Sequence, residues 1–272
     1  MRHFPNRDRL SVLTAIIVLA YALSRFLDLP AQTVNTTLFG TELGVELGWR
    51  LVIQVLIAAL ISTGADALIR SHPRFAAQTT LIHWIVPGAA ALVLGAGLER
   101  LPTEPAWWAG MAASALALLA VLTAEYIVVD GEDRFHDAAS LGLSVLAYGL
   151  AFVLFAVLHN TGARAAIAVT LGGGVAAALA GRLIALSVRP VRRVLIPALV
   201  VGLMCAETVW AVSYWRVNSV GGALLVMLPF YIGVGLARQH LTGQLSRRSW
   251  VEFGVVGAVA LAVTLSYVIQ SP

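Results

Sequence analysis

One feature constrains this chain above all others: long apolar stretches recur nine times. They fall at roughly 10–29, 50–69, 78–98, 106–128, 139–158, 165–187, 194–215, 219–237 and 250–269. A helix rising about 1.5 Å per residue needs about 20 mostly apolar residues to cross the hydrocarbon core of a bilayer. No water reaches that core, so each crossing segment must satisfy its own backbone, and a run of this length does so as an α-helix. The expected fold is therefore an all-α integral membrane protein, a single polytopic domain over residues 1–272 built as a bundle of about nine transmembrane helices, with eight or ten spans as the neighbouring counts. The breakers agree with this division. Pro30, Pro73, Pro102 with Pro105, Asn160-Thr161-Gly162 and Pro190 all fall between the stretches.

Composition excludes the main alternatives. Hydrophobic residues make up 59% of the chain and charged residues 12%, against about 25% charged in soluble domains. A water-soluble enzyme, a disordered tail and a disulfide-rich secreted scaffold are ruled out. All 18 basic residues are arginine, so chemistry that needs a lysine amine is absent. This all-Arg, Ala-rich usage suits a bacterial cytoplasmic (inner) membrane protein and says nothing of function. Cys205 is the single cysteine, which removes an intrachain disulfide and any Cys-based cluster. The basic start, Met1 to Arg9, followed by an apolar stretch, reads as an uncleaved signal anchor.

Arginine placement sets the expected orientation, because loops on the cytoplasmic side carry the excess of positive charge. With the N-terminus inside, the inner segments hold Arg2, Arg7, Arg9, Arg70, Arg74, Arg134, Arg189, Arg192, Arg193, Arg238, Arg247 and Arg248, and the outer ones Arg25, Arg50, Arg100, Arg164 and Arg216. Nine spans then put the C-terminus outside. Only the first connection, Asp28 to Trp49, is long. Within it Glu42 and Glu46 stand four apart with Leu38, Leu43 and Leu47 interleaved, which reads as a short amphipathic helix over about 36–48 lying on the outer surface. A weak echo links Leu68-Ile69-Arg70-Ser71-His72 with Leu236-Ala237-Arg238-Gln239-His240, consistent with a repeat of spans one to three in spans seven to nine. In span six Gly172-Gly173-Gly174 reads as a surface for close helix packing, with an unwound helix as the alternative.

Ionisable side chains inside a bilayer are expensive, so each one is a functional candidate. Glu207 lies about two-thirds along span seven, with Trp210 and Tyr214 three and seven residues on, the same helical face. Tyr231, with Tyr148, is also inboard. These residues form the expected binding site, Glu207 taking up a proton or a cationic ligand between aromatic rings. The competing reading is a hydrogen-bonded glutamate that holds the bundle together. A second group, Asp66, His83, Glu125 and Arg182, falls at one height near the inner face, Arg182 being expected to pair with Asp66 or Glu125. It serves either as a proton relay or as a structural ion-pair layer. The loop Asp130-Gly131-Glu132-Asp133-Arg134-Phe135-His136-Asp137 offers Asp130, Glu132, Asp133, His136 and Asp137 as hard ligands for a divalent metal, although their spacing matches no metal motif. A solvated turn is the alternative.

No cofactor signature is present, neither a Walker sequence, nor HExxH, nor a paired intramembrane histidine for haem, and no aromatic-interleaved basic run points to nucleic acid. The expected partners are the lipid bilayer, a small molecule or proton, and a membrane partner subunit. Three functions fit: a small permease or proton-coupled membrane binding protein, a non-catalytic scaffold or accessory subunit, and an enzyme acting on a lipid or isoprenoid head group. The first is the leading reading and an enzyme the less favoured one.

Overall fold

The computed structural model describes residues 7–26, 32–38, 41–47, 49–72, 80–161, 164–188 and 190–270. Pro30, Pro73, Gly162, Arg2, Arg74 and Arg189, used above for loops and orientation, lie outside the described residues. The chain divides into two compact units at Ala139/Ser140.

The first unit holds α1 (Arg7–Phe26), a β-hairpin of β1 (Gln32–Leu38) and β2 (Thr41–Leu47), α2 (Trp49–Arg70), a 3₁₀ turn at Leu81–His83, α3 (Ile85–Glu99) and α4 (Glu104–Val128). The second holds most of α5 (His136–Asn160), then α6 (Ala165–Ala185), a 3₁₀ turn at Val191–Arg193, α7 (Leu195–Val212), α8 (Ser219–Leu241) and α9 (Arg247–Gln270). Among the described residues, nine helices are long and apolar enough to cross a membrane, in the places where the apolar stretches stand. Their outward faces carry Leu19, Leu116, Leu141, Leu203, Val251 and Val259, all more than half exposed. Soluble monomers do not expose apolar surface on this scale, whereas hydrocarbon is a good solvent for it.

The expected surface helix at 36–48 is corrected to the hairpin, whose strands pair antiparallel from Gln32↔Leu47 to Leu38↔Thr41. The local sequence explains it. Leu43, Val45 and Leu47 alternate with Glu42, Gly44 and Glu46 at a period of two, and Thr and Val favour extended backbone. Glutamates four apart share a face in a strand as well as in a helix, so the spacing alone was ambiguous.

Helix ends follow their local chemistry. Asn218 Oδ1 accepts from Gly221 N at 2.7 Å and caps α8. At the other end Gly243 takes φ +70°, a left-handed conformation that stops the helix there. Pro105 sits in the first turn of α4, where a missing N–H costs nothing. In each unit one helix is entered by the same device. A 3₁₀ turn leads through a right-handed residue, Trp84 or Val194, into a helix with proline at its third position, Pro87 in α3 and Pro197 in α7. This shared entry to α3 and α7 is a local resemblance between the two units; the repeat of spans one to three in spans seven to nine stays an expectation.

The first unit's core includes Ile17, Tyr21, Ile61, Ala65, Val86, Ala90, Leu118 and Leu122. The second unit's includes Leu143, Ala147, Ala176, Leu179, Val201, Cys205 and Phe230. α6 is helical straight through Gly172-Gly173-Gly174, and Gly173 and Gly202 bring α6 and α7 together: a Cβ on Gly202 would stand 2.8 Å from the Gly173 carbonyl oxygen. Gly172 and Gly173 are packing positions, and the triplet is not an unwound segment.

Candidate functional site

The end of the first unit where α2 and α4 finish holds a polar network. Asp66, in the last turns of α2, accepts from Arg70 Nε at 2.6 Å and from Trp84 Nε1 at 3.2 Å. Arg70 also donates to Thr80 Oγ1 at 3.3 Å. The 3₁₀ turn before α3 presents His83, whose Nδ1 shares a 2.7 Å hydrogen bond with Glu125 Oε2 on α4. The Glu125 side chain is 1% exposed and that of His83 18%. The next residue on α4, Tyr126, packs its ring against His72 with centroids 4.6 Å apart.

The sequence logic of the cluster is plain. Residues Asp66 and Arg70 are four apart on one helix and meet on one face. The 3₁₀ turn places His83 and Trp84 side by side, so one reaches α4 and the other α2. A carboxylate enclosed by apolar helices needs a hydrogen-bonding or charged partner, and His83 supplies it. An imidazole hydrogen-bonded to an enclosed carboxylate can pass a proton, since its two ring nitrogens serve as donor and acceptor.

Of the expected polar layer, the structure brings His83 and Glu125 together and sets Asp66 beside them with Arg70 and Trp84. Arg182 is buried in the second unit, 2% exposed on α6; its pairing with Asp66 or Glu125 stays an expectation. Sequence reasoning missed the roles of Trp84 and Thr80. The Trp84 indole donates to Asp66 across 18 residues of chain, a pairing that no periodicity announces.

The expected Glu207 site is arranged differently. Glu207, Trp210 and Tyr214 share one face of α7, as read, but that face is turned outward from the unit. Glu207 is exposed, Trp210 is 57% and Tyr214 72% exposed. The inward face of α7 is taken by Val201, Gly202, Cys205, Val209 and Val212, because small residues let α6 approach there. The expectation of a buried acid at Glu207 is therefore corrected. Trp210 Nε1 donates to Tyr214 Oη at 3.1 Å, and the Glu207 carboxylate has no partner among the described residues. Tyr231 packs instead against Tyr148 and Phe253, at 5.9 and 6.1 Å between centroids.

The acidic loop between α4 and α5 uses its carboxylates on its own backbone. Asp130 Oδ1 accepts from Glu132 N at 3.0 Å and Asp133 Oδ1 from Phe135 N at 2.8 Å, and His136 Nδ1 lies 3.1 Å from the Asp130 carbonyl. These are local turn bonds that fold the α4–α5 connection. Glu132, Asp133 and Asp137 add no convergent set, and among the described residues no group of three or more His, Cys, Asp or Glu side chains is placed to hold a metal ion.

Among the described residues, nine helices long and apolar enough to cross a membrane indicate a polytopic helical membrane protein. Residues 29–267 match the family described as "Protein of unknown function (DUF5656)", and the chain belongs to that family. No curated protein and no solved structure shows significant similarity to it.

Proposed function

We propose that the chain is a small proton-linked membrane binding protein or permease whose proton-carrying element is the His83–Glu125 pair. One observation carries this reading: Glu125 is enclosed on α4 and its carboxylate meets a histidine that retains some exposure. An ionisable pair within membrane-spanning segments is costly unless it is used, and this one has an enclosed member and a member open to the surroundings. Asp66 and Arg70 add a second, more exposed pair beside it. The arginine distribution supports an orientation with the N-terminus inside and the C-terminus outside in a bacterial inner membrane, so that the network faces the cytoplasm. The test is proton binding by the purified chain between about pH 5 and 8, the window in which histidine titrates. Glu125→Gln keeps a hydrogen-bonding side chain and removes the ionisable group, so the proton uptake of the wild type is expected to change in amount or midpoint. Superimposable titrations from two folded proteins would remove the proposal.

A second reading, a subunit of a larger membrane assembly, is favoured by the outward, unpartnered Glu207. A carboxyl facing hydrocarbon is unfavourable, and this one stands five residues from the end of α7, about 7.5 Å along its axis. If lipid covers this face, Glu207→Leu raises the stability of the chain in nanodiscs, by about 1–2 kcal/mol. That rise would remove the assembly reading, whose own expected result is the opposite. A fall in stability together with loss of a discrete oligomer would transfer support to a second copy packed on α7.

A further inference from the structure

At the other end of the first unit's helices lies a cavity of about 240 Å³, which neither the proton pair nor the outward face of α7 uses. It opens where α1 and α3 stop and α2 and α4 begin. Its polar lining is Ser24, Arg25, Gln54 and Glu99 with Tyr21, and its wall includes the Trp107 ring. Three observations make it a built site. First, the charges are held apart. Arg25 lies over the Trp107 ring, 5.5 Å from guanidinium carbon to centroid, and Glu99 accepts from Gln54 Nε2 at 2.7 Å. Arg25 and Glu99 form no ion pair with each other although they line one cavity, so each keeps bonding capacity turned to the space between. Second, the walls are fixed. Tyr21 is buried and donates to the Ala91 carbonyl at 2.8 Å, Trp107 is 4% exposed, and a Cβ on Gly95 would come within 3.3 Å of the Tyr21 ring. Third, the second unit has a cavity at the matching ends of α5 to α8, about 140 Å³, lined by apolar side chains with only His159 and Ser213 as polar ones. A gap between helix ends thus occurs in this chain without such charges. The opposite charges of Arg25 and Glu99 are specific to the first unit and are not required by the packing.

The geometry points to a binding site for a small zwitterion, its anionic group on Arg25 and its ammonium on Glu99. A planar guanidinium suits a phosphate through paired N–H donors, and a carboxylate with free lone pairs suits an ammonium. The position at the ends of four membrane-length helices is the level of phospholipid head groups. The unit recognised is therefore phosphoethanolamine, either as the head group of a lipid or as the free compound. The volume suits a head group and falls below the roughly 300–1,000 Å³ of drug-sized pockets.

The test uses the full chain purified in detergent and measures two probes. Free O-phosphoethanolamine is titrated by calorimetry, and retention of phosphatidylethanolamine against phosphatidylglycerol and phosphatidylcholine is read by native mass spectrometry. Binding of the free compound assigns a soluble ligand, and selective retention of phosphatidylethanolamine alone assigns the lipid head group. Arg25→Gln is expected to weaken whichever binds by about tenfold or more. Glu99→Gln is expected to erase the preference for phosphatidylethanolamine over phosphatidylglycerol, and phosphatidylcholine, which has no ammonium N–H, to bind less well than phosphatidylethanolamine. Both side chains are exposed, so both variants are expected to melt as the wild type does. Absence of binding by either probe, or equal binding by wild type and folded variants, would overturn the site. Proton binding at His83–Glu125 is a separate measurement and stands or falls independently.

Discussion

Replacing Glu125 by alanine is expected to cost about 3 kcal/mol of stability, whereas glutamine at the same position costs about 1 kcal/mol. The difference comes from what each leaves behind. Glu125 is fully enclosed and hydrogen-bonded to His83. Alanine removes the partner of an imidazole that is itself four-fifths enclosed, and opens a space between α4 and the turn before α3. Glutamine fills that space and still accepts from His83. His83→Ala acts from the other side and strands the enclosed carboxyl, so its loss is expected to be at least as large. Unfolding in mixed micelles of the two single variants and the double variant measures the coupling. An additive cycle, or alanine as stable as glutamine, would mean that the pair does not hold this corner together. The comparison bears on function too, because glutamine separates proton binding from folding.

The spans were legible because crossing hydrocarbon demands an unbroken apolar run, and such a run survives any detail of packing. A fixed rise per residue drew Asp66, His83 and Glu125 to one end of their helices, where the structure joins His83 to Glu125 and sets Asp66 on the neighbouring Trp84. Azimuth was harder. Glu207 stands two residues from Cys205, which places it on the other side of α7, and Gly202 with Ala206 marks the face that meets α6. The signal was present, but the aromatic residues at 210 and 214 drew the reading toward a binding site. In a membrane helix, aromatic residues on an outward face near a helix end fit the interface belt equally well. The hairpin was hidden by a spacing that two periods share. The cavity at Arg25 and Glu99 was not legible at all, since its residues come from four helix ends spread between positions 21 and 107 and no periodicity ties them.

Close approach of α6 and α7 gives the second large effect. Leucine at Gly202 is expected to lower stability by about 3 kcal/mol or more, and leucine at Gly173 to do the same. A Cβ at Gly202 meets the Ala177 Cβ at 2.7 Å and the Gly173 carbonyl oxygen at 2.8 Å; a Cβ at Gly173 meets the Ala206 Cβ at 2.9 Å and the Gly202 carbonyl oxygen at 3.1 Å. Backbone atoms cannot rotate away as a long side chain does, so relief requires the two helices to separate along their length. That forfeits the dispersion contacts on which helix association in lipid depends. Gly174 is the internal control, since a Cβ there has nothing within 4 Å. Gly174→Ala is expected to be neutral or to stabilise by up to about 1 kcal/mol through helix propensity. Thermal melts of the three variants in one detergent decide the matter. If Gly174→Ala destabilised as much as Gly202→Leu, the triplet would be acting through backbone flexibility, and an opening of α6 would return as the better account of its glycines.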